Sequence, residues 1–267
     1  MKQSVKDYRL NAKQLRILKI AYKFRFITPP LLAKYLQLKS RTTTYTNLEN
    51  LVKKEYLQKR LDKNTDFSNK GARYCLASRA IKLLKAEPEC SEGVLHARRG
   101  DKTVGEAFIS EHIDILKACL LISDQNPNLF SNYTKAELAI YHYFPDSPPD
   151  IYIKRVEVSE NLSSNFMLDI YANTLFFIIR KKLDQYFVHY ESGDWIGVYP
   201  TLLIVCPNSG TEGKLQSYAE NFMDNSGIDD MKIATTTYKA FFGNSDQSDP
   251  IWTKTSEPGK TYELIKL

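Results

Sequence analysis

Residues 11–84 show three helix-length amphipathic patterns followed by two strand-length runs, an order that leaves few small folds open. In the first pattern Leu15, Leu18, Tyr22 and Phe26 recur at helical spacing, while Lys13, Arg16, Lys19 and Lys23 take the remaining surface. Thr28 then reads as an N-cap before Pro29 at the first helical position, where the missing proline amide leaves nothing unsatisfied. Leu31, Leu32, Tyr35 and Leu36 supply the apolar face of that second helix. Ser40 caps a third, with Tyr45, Leu48, Leu51 and Val52 on one side and Thr43, Thr46, Asn47 and Asn50 on the other. Residues 56–61 and 73–76 read as strands around a polar turn at 62–71, and Ser78 caps a short helix reaching Leu84.

Three helices followed by an antiparallel ribbon is the winged helix-turn-helix order, in which the third helix enters the major groove and the ribbon touches flanking phosphate. Arg41, Thr42, Thr43, Thr46, Asn47 and Asn50 are accordingly candidate contacts to base edges or phosphate, because short hydroxyl and amide groups and a guanidinium suit both. Lys59, Arg60, Lys63, Lys70 and Arg73 cluster in the ribbon and its turn and are candidate phosphate contacts. Charge points the same way. Residues 1–86 carry 21 Lys+Arg against 5 Asp+Glu, whereas the remainder carries 16 against 26. A module of net charge +16 attracts polyanions, with duplex DNA the leading partner. The competing reading is an ordinary solvated face, or a winged helix used as a protein-contact scaffold in a replication or transfer complex.

The 267 residues, 43% hydrophobic and 25% charged, describe a folded chain of about two domains. No apolar run approaches the ~18 residues of a membrane span, and the opening residues lack a signal-type apolar stretch. Cys75, Cys90, Cys119 and Cys206 form no CxxC pair and read as reduced thiols of a cytoplasmic protein. The run SNKGAR lacks the spaced glycines and GK[ST] ending of a phosphate loop, which argues against nucleotide hydrolysis, and no histidine shows metal-ligand spacing. Residues 87–104, of mixed charge and without a sustained period, read as a linker between an N-terminal domain (1–86) and a second domain (105–267). In the latter, helices are expected at 108–123, 180–190 and 211–224, and strands at 139–144, 150–153, 165–170, 174–179 and 201–205. That alternation predicts a helix-flanked mixed sheet, an α+β or α/β domain; residues 238–267 read as edge elements or loop. The aromatic run Tyr133, Tyr141, Tyr143, Phe144 and Tyr152 is read as core rather than as a stacking platform for bases.

The basic three-helix start, the helix around His112, the Pro-Pro-Asp turn at 148–150, FMLDIYANT at 166–174, KKLDQY at 181–186 and YPTLLIVCPN at 199–208 share an order with a known family. In these features the chain resembles the replication-relaxation family, proteins associated with plasmids and other mobile elements. The resemblance implies a winged helix joined to a domain similar to the restriction-endonuclease (PD-(D/E)xK) core. Such a core needs two acids on adjacent strands and usually a lysine two residues beyond the second, to hold a divalent metal and steady the attacking water. Asp150 and Asp169 fit the two acids, but Tyr171 stands at the third position, leaving Lys181 or Lys182 as a displaced substitute. The resulting expectation is a non-enzymatic protein without cofactor that binds double-stranded DNA in replication or transfer initiation, alone or as a homodimer. The alternative is a nuclease or nickase with Mg or Mn held by Asp150 and Asp169 and assisted by Lys182.

Overall fold

Asn11 starts the first helix by a reciprocal cap: its side chain accepts from the Gln14 amide at 2.8 Å while the Asn11 amide donates to the Gln14 side chain at 3.3 Å. In this computed structural model, which describes residues 10–38, 40–61, 71–125, 128–156, 165–243 and 250–263, helix α1 then runs Ala12–Phe24. Helix α2 (Pro29–Tyr35) opens with proline at its first position as expected, although Thr28 makes no side-chain cap bond. Helix α3 (Arg41–Lys53) is capped by Ser40, whose hydroxyl accepts from the Thr43 amide at 3.4 Å.

Strands β1 (Leu57–Arg60) and β2 (Arg73–Leu76) pair antiparallel, and a bridge between Ile27 and Tyr74 adds a short third edge. Ile17, Leu18, Leu32, Leu48, Leu51 and Tyr74 are fully buried beneath these elements. Helix α4 (Ser78–Leu84) follows, with Ala77 rather than Ser78 at the N-cap.

The residues expected to form a linker are structured instead. Helix α5 (Glu92–Ala97) and a 3-10 turn (Arg98–Gly100) occupy them, with Leu95, Arg98 and Asp101 buried. The Arg98 guanidinium donates to the Tyr22 carbonyl at 2.9 Å, and Arg25 Nε donates to Asp101 Oδ1 at 2.7 Å. Two charged side chains of the segment, Arg98 and Asp101, are therefore buried and hydrogen-bonded, while Glu92, Arg99 and Lys102 stay exposed. The chain divides into two units, 1–117 and 118–267, the division falling within helix α6 (Glu106–Gln125) rather than at 87–104.

The second unit is built on strands β3 (Phe130–Thr134), β4 (Ile151–Arg155), β5 (Phe166–Ile170), β6 (Thr201–Cys206), β7 (Ile233–Thr237), β8 (Trp252–Lys254) and β9 (Thr261–Tyr262). They form one seven-stranded mixed sheet in sequence order, antiparallel except for the parallel pairs β5–β6 and β6–β7. Helices α8 (Phe176–Ser192) and α9 (Ser209–Ser226) make the two parallel crossovers, while α7 (Lys135–Leu138) and α10 (Tyr238–Gly243) follow β3 and β7. Every residue of central β6, TLLIVC, is buried, as a strand covered on both faces requires. One core cluster joins Leu183, Tyr186 and Phe187 of α8 and Leu215 and Ala219 of α9 to Met167, Leu202, Ile204, Cys206 and Ile233 of the sheet. Phe187 stacks on Phe222 with ring centroids 4.2 Å apart.

Two expected strands are absent. Residues 139–147 are turns and irregular backbone after α7, and the run at 174–179 opens α8. Phe176, Ile179, Leu183 and Phe187 keep a helical period that the short apolar run conceals when read alone. Strands β3 and β7 are additions to the expected set. No helix among the described residues is long and apolar enough to cross a membrane. The four cysteines are buried and none forms a disulfide; burial pushes the Cys75 and Cys206 thiols up to about 12.

Candidate nucleic-acid face and acidic cleft

In the first unit, Thr42, Thr43, Thr46 and Asn50 are exposed on α3 and Asn47 is half-buried. Thr46 Oγ1 donates to the Thr42 carbonyl at 3.0 Å, and the Asn47 amide nitrogen donates to the Thr43 carbonyl at 2.8 Å. These bonds hold the side chains against their own helix. The one acid of α3, Glu49, one turn after Thr46 and two after Thr42, is paired: it accepts from Lys59 Nζ at 2.8 Å and from the Tyr74 hydroxyl at 2.7 Å, and the Lys59 hydrogen bond holds its carboxyl below the usual range. The outward face is thus polar, and the one acid at its flank is neutralised by Lys59. The Arg41 side chain, Lys63 and Lys70 lie outside the described residues.

Of the ribbon cations, the described Lys59, Arg60 and Arg73 are engaged with groups of their own unit. Lys59 is engaged with Glu49 and the Tyr45 hydroxyl. Arg60 stands directly opposite Arg73 in the β1–β2 register, a like-charge juxtaposition that destabilises a strand pair unless something lies between. Glu106 meets both: Arg73 Nη1 lies 2.8 Å from Oε2 and Arg60 Nη2 lies 3.8 Å from Oε1. Arg60 also donates to the carbonyls of Asp101 and Val104 at 2.9 and 2.8 Å, and Arg73 is buried. Basic residues in strand sequence look alike whether they meet solvent or an internal carboxylate, so sequence spacing has no access to this outcome.

In the second unit the β4–β5 register pairs Ile151 with Leu168, which brings Asp150, just before β4, opposite Asp169. The two acids are laced together. The Asp150 amide donates to Asp169 Oδ1 at 3.0 Å, and the Ile170 amide donates to Asp150 Oδ2 at 2.9 Å. Strand alternation sets Asp169 on the same face as Met167, beneath α8, and it is 3% exposed. There the Tyr186 hydroxyl donates to Asp169 Oδ2 at 2.8 Å. Burial raises the Asp169 carboxyl above its ordinary value, against the opposing pull of the Lys182 charge.

Lys182, one helical turn before Tyr186, donates to the Ser147 carbonyl, to Ser147 Oγ at 2.9 Å and to the Pro148 carbonyl at 3.1 Å. Its ammonium is lowered from the ordinary lysine value by burial. Lys135, the first residue of α7, places Nζ 2.7 Å from Asp150 Oδ1. Lys135, Ser147, Asp150, Asp169, Tyr171, Lys181 and Lys182 all line one cleft of about 260 Å³.

The structure therefore gathers Asp150, Asp169 and Lys182, as the sequence reading proposed for the displaced lysine. It places Tyr171 on the same cleft, its phenol raised well above the usual value by burial and by the two acids. The sequence reading missed Lys135 and Tyr186. Thr134 and Glu137 form a capping box around α7, a local signal that marks Lys135 as a helix start, whereas Tyr186 is signalled only by its four-residue offset from Lys182.

Among the described residues no group of three or more His, Cys, Asp or Glu side chains is arranged to hold a metal ion. A larger cavity of about 490 Å³ lies at the other end of β6, lined by Glu220, Asp224, Asp229, Asp230, Lys232, Lys254 and Glu257 among others. Comparison with protein-family models, curated proteins and solved structures finds no match to the chain.

Proposed function

We propose that the protein binds double-stranded DNA through its first unit, used as a winged helix with α3 in the major groove. One observation carries this reading: the exposed face of α3 presents Thr42, Thr43, Thr46 and Asn50, while the helix's one acid, Glu49, which flanks that face, is already paired with Lys59 and bonded by Tyr74. A hydroxyl and amide surface whose one neighbouring acid is already neutralised suits base edges and phosphate oxygens alike. The net charge of +16 over residues 1–86 supplies the long-range attraction. The setting we propose, replication or transfer of a plasmid or other mobile element, rests on the order of short motifs that the chain shares with replication-relaxation proteins.

Titration of a labelled duplex at several salt concentrations tests the binding. Log affinity is expected to fall by about 0.9 per phosphate contact for each unit of log salt. Affinity independent of salt, or no binding at low salt, overturns the proposal and favours a protein-contact role for the module.

A second reading, a metal-dependent nuclease, is favoured by the meeting of Asp150, Asp169 and Lys182 in one cleft. Supercoiled plasmid incubated with Mg²⁺ or Mn²⁺ would be nicked by the wild type and left intact by Asp150→Asn. Intact plasmid with both metals, under conditions where the duplex is bound, removes that reading.

A further inference from the structure

Each of the four carboxylate oxygens of the Asp150–Asp169 pair has a donor, but the donors are of two kinds. Three belong to the frame of the unit: the Asp150 amide, the Ile170 amide and the buried Tyr186 hydroxyl. The fourth, on Asp150 Oδ1, is the Lys135 ammonium at 2.7 Å. Its side chain is 48% exposed, so it stands at the mouth of the cleft and is the one donor of the four that can leave without opening the sheet or shifting α8.

The carbonyl oxygens of Ser147, which lines the same cleft, and of the next residue, Pro148, are taken by the other ammonium, Lys182. Two carboxylates and two ammonium groups thus share a cleft rich in oxygen, the kind of donor that a hard divalent cation selects. A tethered ammonium at hydrogen-bond distance neutralises the carboxylate and covers the oxygen that such an ion would need.

We propose that Lys135 is the resident cation of the Asp150–Asp169 pair: its ammonium takes the position that a divalent ion would otherwise occupy, so that the wild-type cleft is closed to metal and removal of this one side chain opens it. The proposal concerns the second unit and stands independently of DNA binding by the first. It opposes the nuclease reading, because it leaves the wild-type acids without a vacant coordination position.

The test is a Mn²⁺ titration of the full chain, read by the loss of the free-ion EPR signal and by the melting temperature. The wild type and Lys135→Arg, which keeps a cation at the same place, are expected to show no saturable site up to millimolar Mn²⁺ and no metal-dependent shift in melting. Lys135→Met is expected to bind one Mn²⁺ at least tenfold more tightly than the wild type and to melt higher when it is present. Adding Asp150→Asn to Lys135→Met is expected to abolish both effects. Lys135→Gln, which retains a polar stem, serves if the methionine variant does not fold.

Saturable Mn²⁺ binding by the wild type overturns the proposal and favours the nuclease reading. Absence of binding in a folded Lys135 variant, or binding that survives Asp150→Asn, overturns it as well.

Discussion

Asp150 and Asp169 hold each other across two antiparallel strands: the amide of Asp150 donates to the carboxylate of Asp169 at 3.0 Å, and the carboxylate of Asp150 accepts from the residue after Asp169 at 2.9 Å. Two acids placed side by side repel when both are charged. Here the repulsion is offset by oriented amides, by the Tyr186 hydroxyl and by Lys135 and Lys182, which makes the pair a structural knot as well as a candidate site.

Tyr186→Phe removes one donor from a buried carboxylate and adds none. A loss of about 1–3 kcal/mol is expected, because the oxygen left behind keeps its desolvation cost without its bond. Urea unfolding of the two proteins measures it; equal midpoints would show that Asp169 does not depend on the hydroxyl.

His189 supplies a pH dependence with a definite sign. It is 8% exposed, with Nε2 at 3.1 Å from the Tyr143 carbonyl and Nδ1 at 2.9 Å from the Tyr199 hydroxyl. The carbonyl can only accept, so Nε2 carries the proton and Nδ1 accepts from tyrosine, the arrangement of a neutral ring. Burial holds the imidazole below its ordinary value, although the Tyr143 carbonyl and the charges of Asp194 and Asp146 pull the other way. Below pH about 6.5 the unfolded chain therefore binds a proton that the folded one refuses. Stability is complete above that pH and falls as pH drops towards the folded value, by at most about 1.4 kcal/mol per pH unit for this one group. Unfolding at pH 7.5 and 5.5 should show a larger decrease for the wild type than for His189→Gln; the same decrease in both would assign the effect elsewhere.

Asp101 decides whether residues 87–104 belong to the first unit's core. It is 1% exposed and meets Arg25, with Oδ1 at 2.6 Å from Nη2. Burial raises its carboxyl above the ordinary value, and the Arg25 hydrogen bond opposes that shift. Asp101→Ala is expected to cost about 3–5 kcal/mol, since it strands a partly buried guanidinium. A neutral result in thermal or urea unfolding would return the segment to the role of a linker.

The α3 face and the ribbon cations should separate in their effects. Thr43→Ala, Thr46→Ala and Asn50→Ala change exposed groups and are expected to leave unfolding within about 0.5 kcal/mol of wild type. Under the DNA-binding proposal each weakens duplex binding by about 1–3 kcal/mol wherever it meets a base edge. Arg73→Ala should behave in the opposite way, lowering stability because its guanidinium is buried against Glu106. Paired urea and anisotropy titrations on each variant check both expectations.

Much of the first unit was legible because its signals are local. The Ser40 cap, the proline opening α2 and the β1–β2 ribbon all appear where short-range chemistry puts them. The second unit was harder. A run such as residues 174–179 satisfies both periods over so short a length, and tertiary burial of its helical face resolved the ambiguity in favour of α8. The cleft was half legible: Asp150, Asp169 and Lys182 carry side chains whose chemistry is conspicuous in sequence, whereas Lys135 is separated from Asp150 by the rest of α7 and the irregular residues 139–149, and meets it through the β3–β4 pairing.

What the sequence determined by itself was the starts of α2 and α3, the hydroxyl and amide groups along α3, the concentration of positive charge in the first 86 residues and the presence of acids beside strand ends. Each of these is a property of residue type at short range. Tertiary structure alone decided which charges meet: that Glu106 lies between Arg60 and Arg73, that Asp101 closes on Arg25, and that Lys135 rather than solvent meets Asp150. The physical reason is that an ion pair across many residues depends on strand register and helix placement. Those follow from how the whole core excludes water, and no local spacing encodes them.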